Sequence, residues 1–376
     1  MLPLRDDEVG HGLRFFSLKD RTSLLLLRSF PEAFSDSRCV GSPHGWLVLL
    51  DKDAEPYLLD PLHDGRVLRL APAETFPSVY QMLRSVHDDS CRREWRTTLF
   101  PVLPLRDYVI SKAALSADPN DDAKGMSCWV VAIFGTESKL GFCRCKEIGG
   151  VGVWTELAGN DASFSDVTFY QGTLFALCDD GFVDVWDFNR DHPMKIMEIK
   201  ASFPQKSAEV EDALGDICFA NTYLVEAAGE ILLLVRFTGN FVNEHGVPVE
   251  EDDYFLTEED ERNLASAYRT LYFHVYVLDM NREEWVWLDS IGDQAVFVGG
   301  SHSRSVSAWD FPELEANSVY FTDDNWHPEE PYSGHDMGVY SLKTGKVKEI
   351  CKLGSDKIDS PPLWVFPSDC RPSKRG

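Results

Sequence analysis

The sequence predicts an all-β fold, a kelch-like β-propeller of roughly six to seven four-stranded blades with an acidic loop insertion. Short apolar runs of strand length alternate along the chain with Gly, Asp and Asn residues that break strands. One plan also recurs, in which an apolar strand, a polar turn and a second strand follow one another, beginning at positions 57, 141, 183, 275 and 338. One such sheet cannot bury both of its faces, so the copies are expected to pack around a common axis. The alternative is a β-sandwich with long loops.

The N-terminal part of the chain contains the first predicted blade. Residues 1–37 hold two candidate strands joined by a polar turn, and residues 46–70 hold three more. The segment Asp60–Gly65 is a predicted turn, because its proline fixes φ and its glycine accepts a positive φ. The stretch 71–127 is less regular, and together with the two termini it is expected to complete a sixth or seventh blade. Because strand-like sequence occurs at both ends, an N-terminal strand is expected to pair with the last blade and close the propeller.

Four further meanders follow in the chain. They occupy residues 128–157, 166–200, 223–288 and 305–353. In the second of these, Asp179–Gly181 is predicted to be the turn of a hairpin. The whole chain, residues 1–376, is therefore predicted to be one propeller domain, with an insertion at 240–270 and a C-terminal tail at 367–376.

The charge of the chain limits its partners. It contains 62 acidic and 36 basic residues, which gives a formal net charge of −26. Nucleic acid and anionic membranes are disfavoured as partners, because contacts with phosphate need a basic surface. The hydrophobic fraction of 44 % is sufficient for a full core. We expect a soluble monomer that binds a protein rather than nucleic acid or membrane.

The cysteines point to a reducing compartment. There are nine, they form no Cys-x-x-Cys pair, and no cluster of ligands with zinc-site spacing occurs. The N-terminus lacks the apolar core of a signal peptide, and runs such as Ile231–Val235 are too short to cross a membrane. The sequence therefore predicts a cytoplasmic and/or nuclear protein without a bound metal.

Several stretches carry a family resemblance. They include RCVGSPHGWLVLLD (38–51), DVTFYQGTLFALCDDG (166–181), YLVEAAGEILLLVR (223–236) and GVYSLKTGKVKEI (338–350). In these stretches and in their order, the chain resembles the large plant family of KIB-type β-propeller proteins, whose once uncharacterised domain is usually found in F-box proteins. The resemblance covers nearly the whole chain.

The resemblance implies a propeller fold and, in members with an F-box, a role as substrate receptor of a Skp–Cullin–F-box (SCF) ubiquitin ligase. An F-box is a short helical module ahead of the propeller. Here strand-like sequence begins by about Leu13, so we expect this chain to carry the substrate-binding half of such a receptor without a recognisable F-box. Binding to the ligase subunits is left open.

The sequence gives little sign of catalysis. No nucleophile elbow, phosphate-binding loop, dinucleotide-binding glycine set or zinc-protease motif occurs, so we expect neither an enzyme nor a cofactor. His44 and His302 are interpreted as residues of polar turns rather than catalytic bases. The pair Asp323–Asp324 is interpreted as a turn after a strand, with a metal site as the less favoured alternative. Trp285 and Trp287 share one face of a strand and are expected to pack between blades.

The acidic insertion holds the only predicted partner site. Eight carboxylates lie in the twelve residues from Glu250 to Glu261. A solvated loop is the simpler interpretation. The alternative is an acidic arm for a basic partner, because apolar residues framed by charge often anchor contacts. The candidate partner-binding residues are Tyr254, Phe255 and Leu256.

Two functions therefore remain open from the sequence. The first is a protein-interaction propeller that resembles the substrate-binding half of an F-box protein. The second is a propeller that binds or hydrolyses a small molecule or sugar at its central channel. A polar channel with converging His, Asp and Arg residues would favour the second, and a channel filled by apolar side chains would favour the first.

Overall fold

The structure is a computed structural model. It describes residues 12–20, 22–27, 37–63, 65–76, 109–121, 128–145, 152–157, 162–243, 247–249, 268–325, 336–350 and 362–366. No helix within these ranges is long and apolar enough to span a bilayer.

A hairpin precedes the first blade. Its strands, β1 (Gly12–Ser17) and β2 (Thr22–Leu27), pair with each other and with no other strand of the described chain. The first blade is the antiparallel sheet of β3 (Arg38–Gly41), β4 (Leu47–Leu50), β5 (Pro56–Leu59) and β6 (Val67–Arg69). Every residue of β4 and β5 is buried, as expected for central strands that are covered on both faces.

The second and third blades repeat this order. Blade two consists of β7 (Ile110–Leu115), β8 (Trp129–Phe134), β9 (Lys139–Arg144) and β10 (Thr155–Glu156). Blade three consists of β11 (Phe164–Tyr170), β12 (Thr173–Cys178), β13 (Val183–Asp187) and β14 (Met194–Ile199). The turn predicted at Asp179–Gly181 is present, and Gly181 adopts the positive φ of 91° that favours glycine.

Blade four carries the insertion. A helix, α1 (Gln205–Leu214), leads into β15 (Cys218–Ala227), β16 (Glu230–Gly239), β19 (Arg269–Asp279) and β20 (Glu284–Trp287). Between β16 and β19, the two-residue strands β17 (Phe241–Val242) and β18 (Pro248–Val249) form a separate small hairpin. Short 3-10 turns occur at Pro43–Gly45, Ala73–Thr75 and Gly215–Ile217.

Blade five has five strands and a different strand order. They are β21 (Gln294–Val298), β22 (Arg304–Ser307), β23 (Ser318–Phe321), β24 (Gly338–Ser341) and β25 (Lys346–Glu349). The spatial order is β22-β21-β23-β24-β25, and β21 runs parallel to β23 while all other pairs are antiparallel. The inner strand of this blade therefore comes second in the sequence rather than first.

The β-propeller prediction is confirmed, but the predicted blade number is wrong. The described residues form five blades instead of six to seven. The described part of the irregular region 71–127 supplies β7, which completes blade two rather than forming a blade of its own. The N-terminal strands form only a hairpin, and residues 362–366 are extended without joining a sheet.

The hydrophobic core lies between neighbouring blades. Separate apolar layers join blade one to two, two to three, three to four, and four to five. The innermost strands β3, β7, β11, β15 and β22 contact each other in succession around the axis. The approach is close, since a Cβ atom at Gly41 would lie 2.2 Å from the carbonyl oxygen of Ala113 in β7. Glycine at this position lets the first two inner strands meet.

Residues 362–366 connect blade five to blade one. Trp364 Nε1 donates to the carbonyl oxygen of Val298 at 3.0 Å, and the Trp364 carbonyl accepts from Ser42 Oγ at 2.5 Å. Leu363 packs with the apolar residues of blade one, whereas the Trp364 ring lies 5.0 Å from that of Phe297 in blade five. Strand pairing between the N-terminus and the last blade, which the sequence suggested as the closure, does not occur among the described residues.

The two tryptophans of β20 pack as predicted. Trp285 is buried between blades three and four, and its Nε1 donates to the carbonyl of Gly181 at 3.0 Å. Trp287 lies under the ammonium group of Lys206 in α1, 3.1 Å from the ring centroid. Both rings are therefore used in packing around α1 and the interface of blades three and four.

One pair of cysteines is joined in blade two. Cys128 and Cys145 form a disulfide with a Cα–Cα distance of 5.5 Å, whereas Cys39 and Cys178 are free thiols. This pairing is not visible in the sequence, where the two residues are 17 positions apart.

Candidate functional site at the centre of the propeller

The predicted partner-binding residues belong to the insertion between β16 and β19. Tyr254, Phe255 and Leu256 lie outside the described residues, as does the acidic run 250–263. Of the insertion at 240–270, the structure describes the small hairpin of β17 and β18 and the start of β19. The acidic-arm interpretation therefore stays a prediction.

An ion pair near the axis links three inner strands. Lys112 Nζ of β7 lies 2.5 Å from Asp166 Oδ1 of β11, and Asp166 is completely buried. The other carboxylate oxygen, Oδ2, accepts the backbone N–H of Leu224 in β15 at 2.8 Å. Asp166 also accepts the N–H of Val167 at 2.6 Å. One buried carboxylate thus holds blades two, three and four together, with its charge balanced by the lysine.

The turn between β21 and β22 brings unpaired polar groups to the same region. Ser301 Oγ, His302 Nδ1 and Ser303 Oγ are enclosed and make no hydrogen bond within the described structure. The pKa of His302 is lowered to about 3, mainly by burial and to a smaller extent by the nearby cationic groups of Lys112, His44 and Arg304. His302 is therefore a neutral imidazole at physiological pH, and a polar ligand or water is the natural partner for these three groups.

His44 has the turn position that its sequence context predicts. It lies within the 3-10 turn Pro43–Gly45 with a φ of 52°, and its Nε2 is 3.3 Å from the carbonyl of Leu115. It thereby ties the first inner strand to the second. Its interpretation as a turn histidine agrees with this position in the structure.

A second buried network lies between blades four and five. Arg236 of β16 is 1 % exposed, and its Nη2 is 2.9 Å from Asp336 Oδ2 while its Nη1 is 3.0 Å from Asp324 Oδ1. Its Nε donates to Thr270 Oγ1 at 2.8 Å, and its Nη1 also donates to the carbonyl of Thr322 at 2.9 Å. All three nitrogens of the guanidinium group therefore have hydrogen-bond or ion-pair partners.

The pair Asp323–Asp324 does more than form a turn. Asp323 Oδ1 accepts the N–H of Asn325 at 3.0 Å, which is the turn contact that the sequence predicts. Asp323 Oδ2 also accepts from Tyr268 Oη at 2.6 Å, and burial raises the pKa of Asp323 to about 6. Asp324 is held by Arg236 and accepts a hydrogen bond from Tyr223 Oη. No group of three or more potential metal-ligating His, Cys, Asp or Glu residues occurs in the described ranges.

Sequence reasoning missed the two residues that organise these networks. Lys112 is the one charged residue of the strand ISKAAL, and Arg236 is the one charged residue in the buried part of EILLLVRFTG, whose Glu230 is exposed at the strand start. A lone charge at such a position is itself a signal, because buried charges need partners. Asp166 lies 54 positions after Lys112, and Asp336 lies 100 positions after Arg236. Because these separations are so long, the pairs could not be identified from the sequence.

Outside the centre, the exposed apolar side chains include Trp309 and a group on β14. Trp309, in the loop between β22 and β23, is 74 % exposed and is the most exposed large apolar residue of the described chain. On β14, Met194, Ile196 and Met197 are exposed by 45 %, 51 % and 47 %. Large exposed apolar groups of this kind are typical anchors for protein partners.

A comparison with known protein families matches this architecture. The family model of the KIB1-4 β-propeller matches residues 15–341, which spans all five blades up to β24. The chain belongs to the KIB1-4 β-propeller family. The resemblance stated from the sequence is thereby confirmed.

Curated relatives of this KIB1-4 propeller are plant F-box proteins. The chain is similar to F-box protein SKIP23 of Arabidopsis thaliana, with 25 % identity over 93 % of this chain and 79 % of the relative. It is also similar to F-box only protein 7 of Arabidopsis thaliana, with 21 % identity over 49 % of this chain and 38 % of the relative. Among solved structures, the Cps50 (Swd1) β-propeller domain of Myceliophteria thermophila aligns over 90 % of each chain with 13 % identity and a TM-score of 0.33.

Proposed function

We propose that this KIB1-4 propeller is a non-enzymatic protein-interaction module that serves as the substrate-binding half of an SCF-type ubiquitin ligase receptor. The observation that carries the proposal is the match to F-box protein SKIP23 over 93 % of this chain. The exposed Trp309 and the apolar residues of β14 support it, because they offer contact surface for a protein.

The proposal is tested by affinity capture from plant extract with the full chain as bait, read by mass spectrometry. Three baits are compared: the wild-type chain, Trp309→Ser, and Val347→Ser as a matched control on β25, where Val347 is 40 % exposed. Proteins that are recovered with the wild type and the control but lost with Trp309→Ser support a protein-interaction propeller.

Two further results of the capture refine or overturn the proposal. Recovery of the ligase adaptor and cullin supports the receptor role, whereas recovery of other specific partners alone supports a stand-alone binding propeller. A bait carrying Tyr254, Phe255 and Leu256 all changed to Ser tests the acidic insertion in the same way. No specific partner with any bait overturns the proposal.

A second candidate function has its own observation. Ser301, His302 and Ser303 carry enclosed polar atoms without a hydrogen-bond partner in the described structure, and His302 lies within electrostatic range of Lys112. This favours a small polar ligand, such as a sugar or an anion, at the central channel. A thermal-shift screen with neutral monosaccharides and inorganic phosphate tests it. A ligand that raises the Tm of the wild type but not of Ser303→Ala supports this function, and no shift with any of these probes argues against it.

A further inference from the structure

The outer strand of blade three differs from the other outer strands. β14 has six residues and forms the edge of its sheet, and its outward side pairs with no strand in the described part of the chain. The edge of a sheet offers a row of backbone donors and acceptors to any extended segment that can reach it. Proteins usually protect such an edge by making the strand short or by placing charges along it.

The outer strands of the other blades carry this protection. β6 has three residues and β10 has two, so neither offers a long row of backbone groups. β25 reads Lys-Val-Lys-Glu and is exposed throughout, which places three charges on its four residues. β20 has four residues, and both of its tryptophans are used in packing.

β14 is instead both long and apolar on its exposed side. Met194, Ile196 and Met197 are about half exposed. The register of β14 against β13 shifts between Val185 and Trp186, which makes a β-bulge at Ile196, and the strand pairs with β13 on both sides of it. Its one basic residue, Lys195, is engaged by Asp184 at 2.8 Å and by Glu198 at 2.9 Å, so it does not guard the edge.

The excess of acidic residues around β14 favours a partner segment that carries basic residues. The segment from Asp179 to Lys200 contains six acidic residues and three Lys or Arg residues. The whole chain has a net charge of −26. A second copy of β14 would bring two negative surfaces together, whereas a segment with basic residues beside its apolar ones would be attracted.

We propose that β14 is a docking edge for an extended segment of a partner protein, in which apolar residues alternate with Lys or Arg, and which adds a fifth strand to blade three. The backbone of the segment pairs with the open edge, and its apolar side chains cover Met194, Ile196 and Met197. The inference rests on the proposed function, since it names the kind of substrate segment that the propeller binds.

The test uses the full chain and a fluorescein-labelled peptide of about ten residues with alternating valine and lysine, read by fluorescence anisotropy at physiological salt. A second peptide has the same sequence with alternate backbone nitrogens methylated, so that it keeps its charge and side chains but loses strand pairing. A third has glutamate in place of lysine. We expect the methylated and the acidic peptides to bind at least about tenfold more weakly than the first.

Variants of the protein locate the binding edge. Ile196→Asn with Met197→Asn should weaken binding of the first peptide by about tenfold or more, because apolar contact is removed without a change of charge. Val347→Asn on β25 is the matched control and should bind as the wild type does. Hydrogen exchange should slow at the β14 amides when the first peptide is bound.

Equal affinity of the methylated and unmethylated peptides overturns the inference, and this comparison needs no variant of the protein. Equal affinity of the β14 variant and the Val347→Asn control also overturns it. The affinity capture separates this failure from that of the proposed function. If Ile196→Asn with Met197→Asn still recovers the partners of the wild type, the propeller binds proteins elsewhere, and only the β14 inference fails.

Discussion

Arg236 and Asp336 form a buried ion pair across the interface of blades four and five, with 2.9 Å between Nη2 and Oδ2. They lie 100 positions apart in the sequence, and both are almost completely enclosed. Asp324 contacts the other end of the same guanidinium. Because each charge has been removed from water, the arrangement is stable only while all members are present.

Replacing Arg236 with methionine should therefore be strongly destabilising. The substitution keeps most of the side-chain volume but leaves Asp324 and Asp336 with no countercharge, at a cost of about 3 to 5 kcal/mol. Urea denaturation measures the change in the free energy of unfolding. Arg282→Met is the control, because Arg282 pairs with Asp279 and Glu284 on the surface and should change stability by less than about 0.5 kcal/mol. Similar losses for the two variants would contradict the clamp role of Arg236.

His302 should make the protein sensitive to acid. The pKa of His302 is about 3 in the folded chain, whereas its ordinary value is 6.5. Below pH 6.5, therefore, His302 is protonated in the unfolded chain but stays neutral in the folded chain. The contribution of His302 to the free energy of unfolding is therefore fully present above pH 6.5 and decreases as the pH falls towards 3. Between pH 7 and pH 5, His302 contributes a loss of at most about 2 kcal/mol.

The substitution His302→Gln tests this contribution. Urea unfolding at pH 7 and pH 5 should show a smaller loss for the variant than for the wild type. His274, with a pKa lowered to about 4, still destabilises the variant in acid, and Asp323, with a pKa raised to about 6, acts in the opposite direction. Both groups are present in both proteins, so the difference isolates His302. Parallel pH profiles would show that His302 is protonated in the folded chain.

Trp364 should stabilise the whole propeller rather than only its C-terminal end. Its ring packs on Phe297 and its Nε1 bonds to the carbonyl of Val298, so Trp364→Ala should cost about 2 to 4 kcal/mol. The exposed Trp309 allows the same substitution as a control, which should be nearly neutral. Thermal unfolding followed at blade two and at blade five separates the outcomes. A variant that loses only the C-terminal segment, with an unchanged Tm, would refute the closing role.

Lys112 and Asp166 should be energetically coupled. Because the pair is buried at the axis, the double variant Lys112→Met with Asp166→Asn should be more stable than the sum of the single losses predicts, with a coupling of about 1 to 3 kcal/mol. Urea denaturation of the wild type, the two single variants and the double variant gives the four free energies of unfolding from which the coupling is calculated. Losses that add within about 0.5 kcal/mol would mean that each residue acts through its other contacts.

The sequence predicted the meanders well because the strands and turns of each blade follow one another closely along the chain. Strands with alternating residues and turns such as Asp179–Gly181 need only neighbouring positions to be recognised. The predicted blade number was wrong because some strand-like sequence does not form a blade. In the described structure β1 and β2 pair only with each other. The parallel pairing of β21 and β23 was equally hidden, since the apolar pattern of a strand does not say which strand lies beside it.

The centre of the propeller was less predictable than the blades. Arg236 was missed, although it is a charged residue within a buried strand, and its partners lie just after β23 and just before β24. Ser301, His302 and Ser303 read as an ordinary polar loop, and only the packing of the inner strands encloses them. The residues predicted for partner binding, Tyr254 to Leu256, remain a prediction.

The contact between Ser42 and Trp364 spans 322 positions of sequence. All five blades leave the ribosome before residue 364 does, so blade one must wait for the closing segment while its apolar edge stays uncovered. Contacts between distant residues slow folding, because the chain loses loop entropy before the contact forms. The rate at which the protein reaches its native state should therefore depend on this last step, and the nascent chain should need protection by chaperones until the segment arrives.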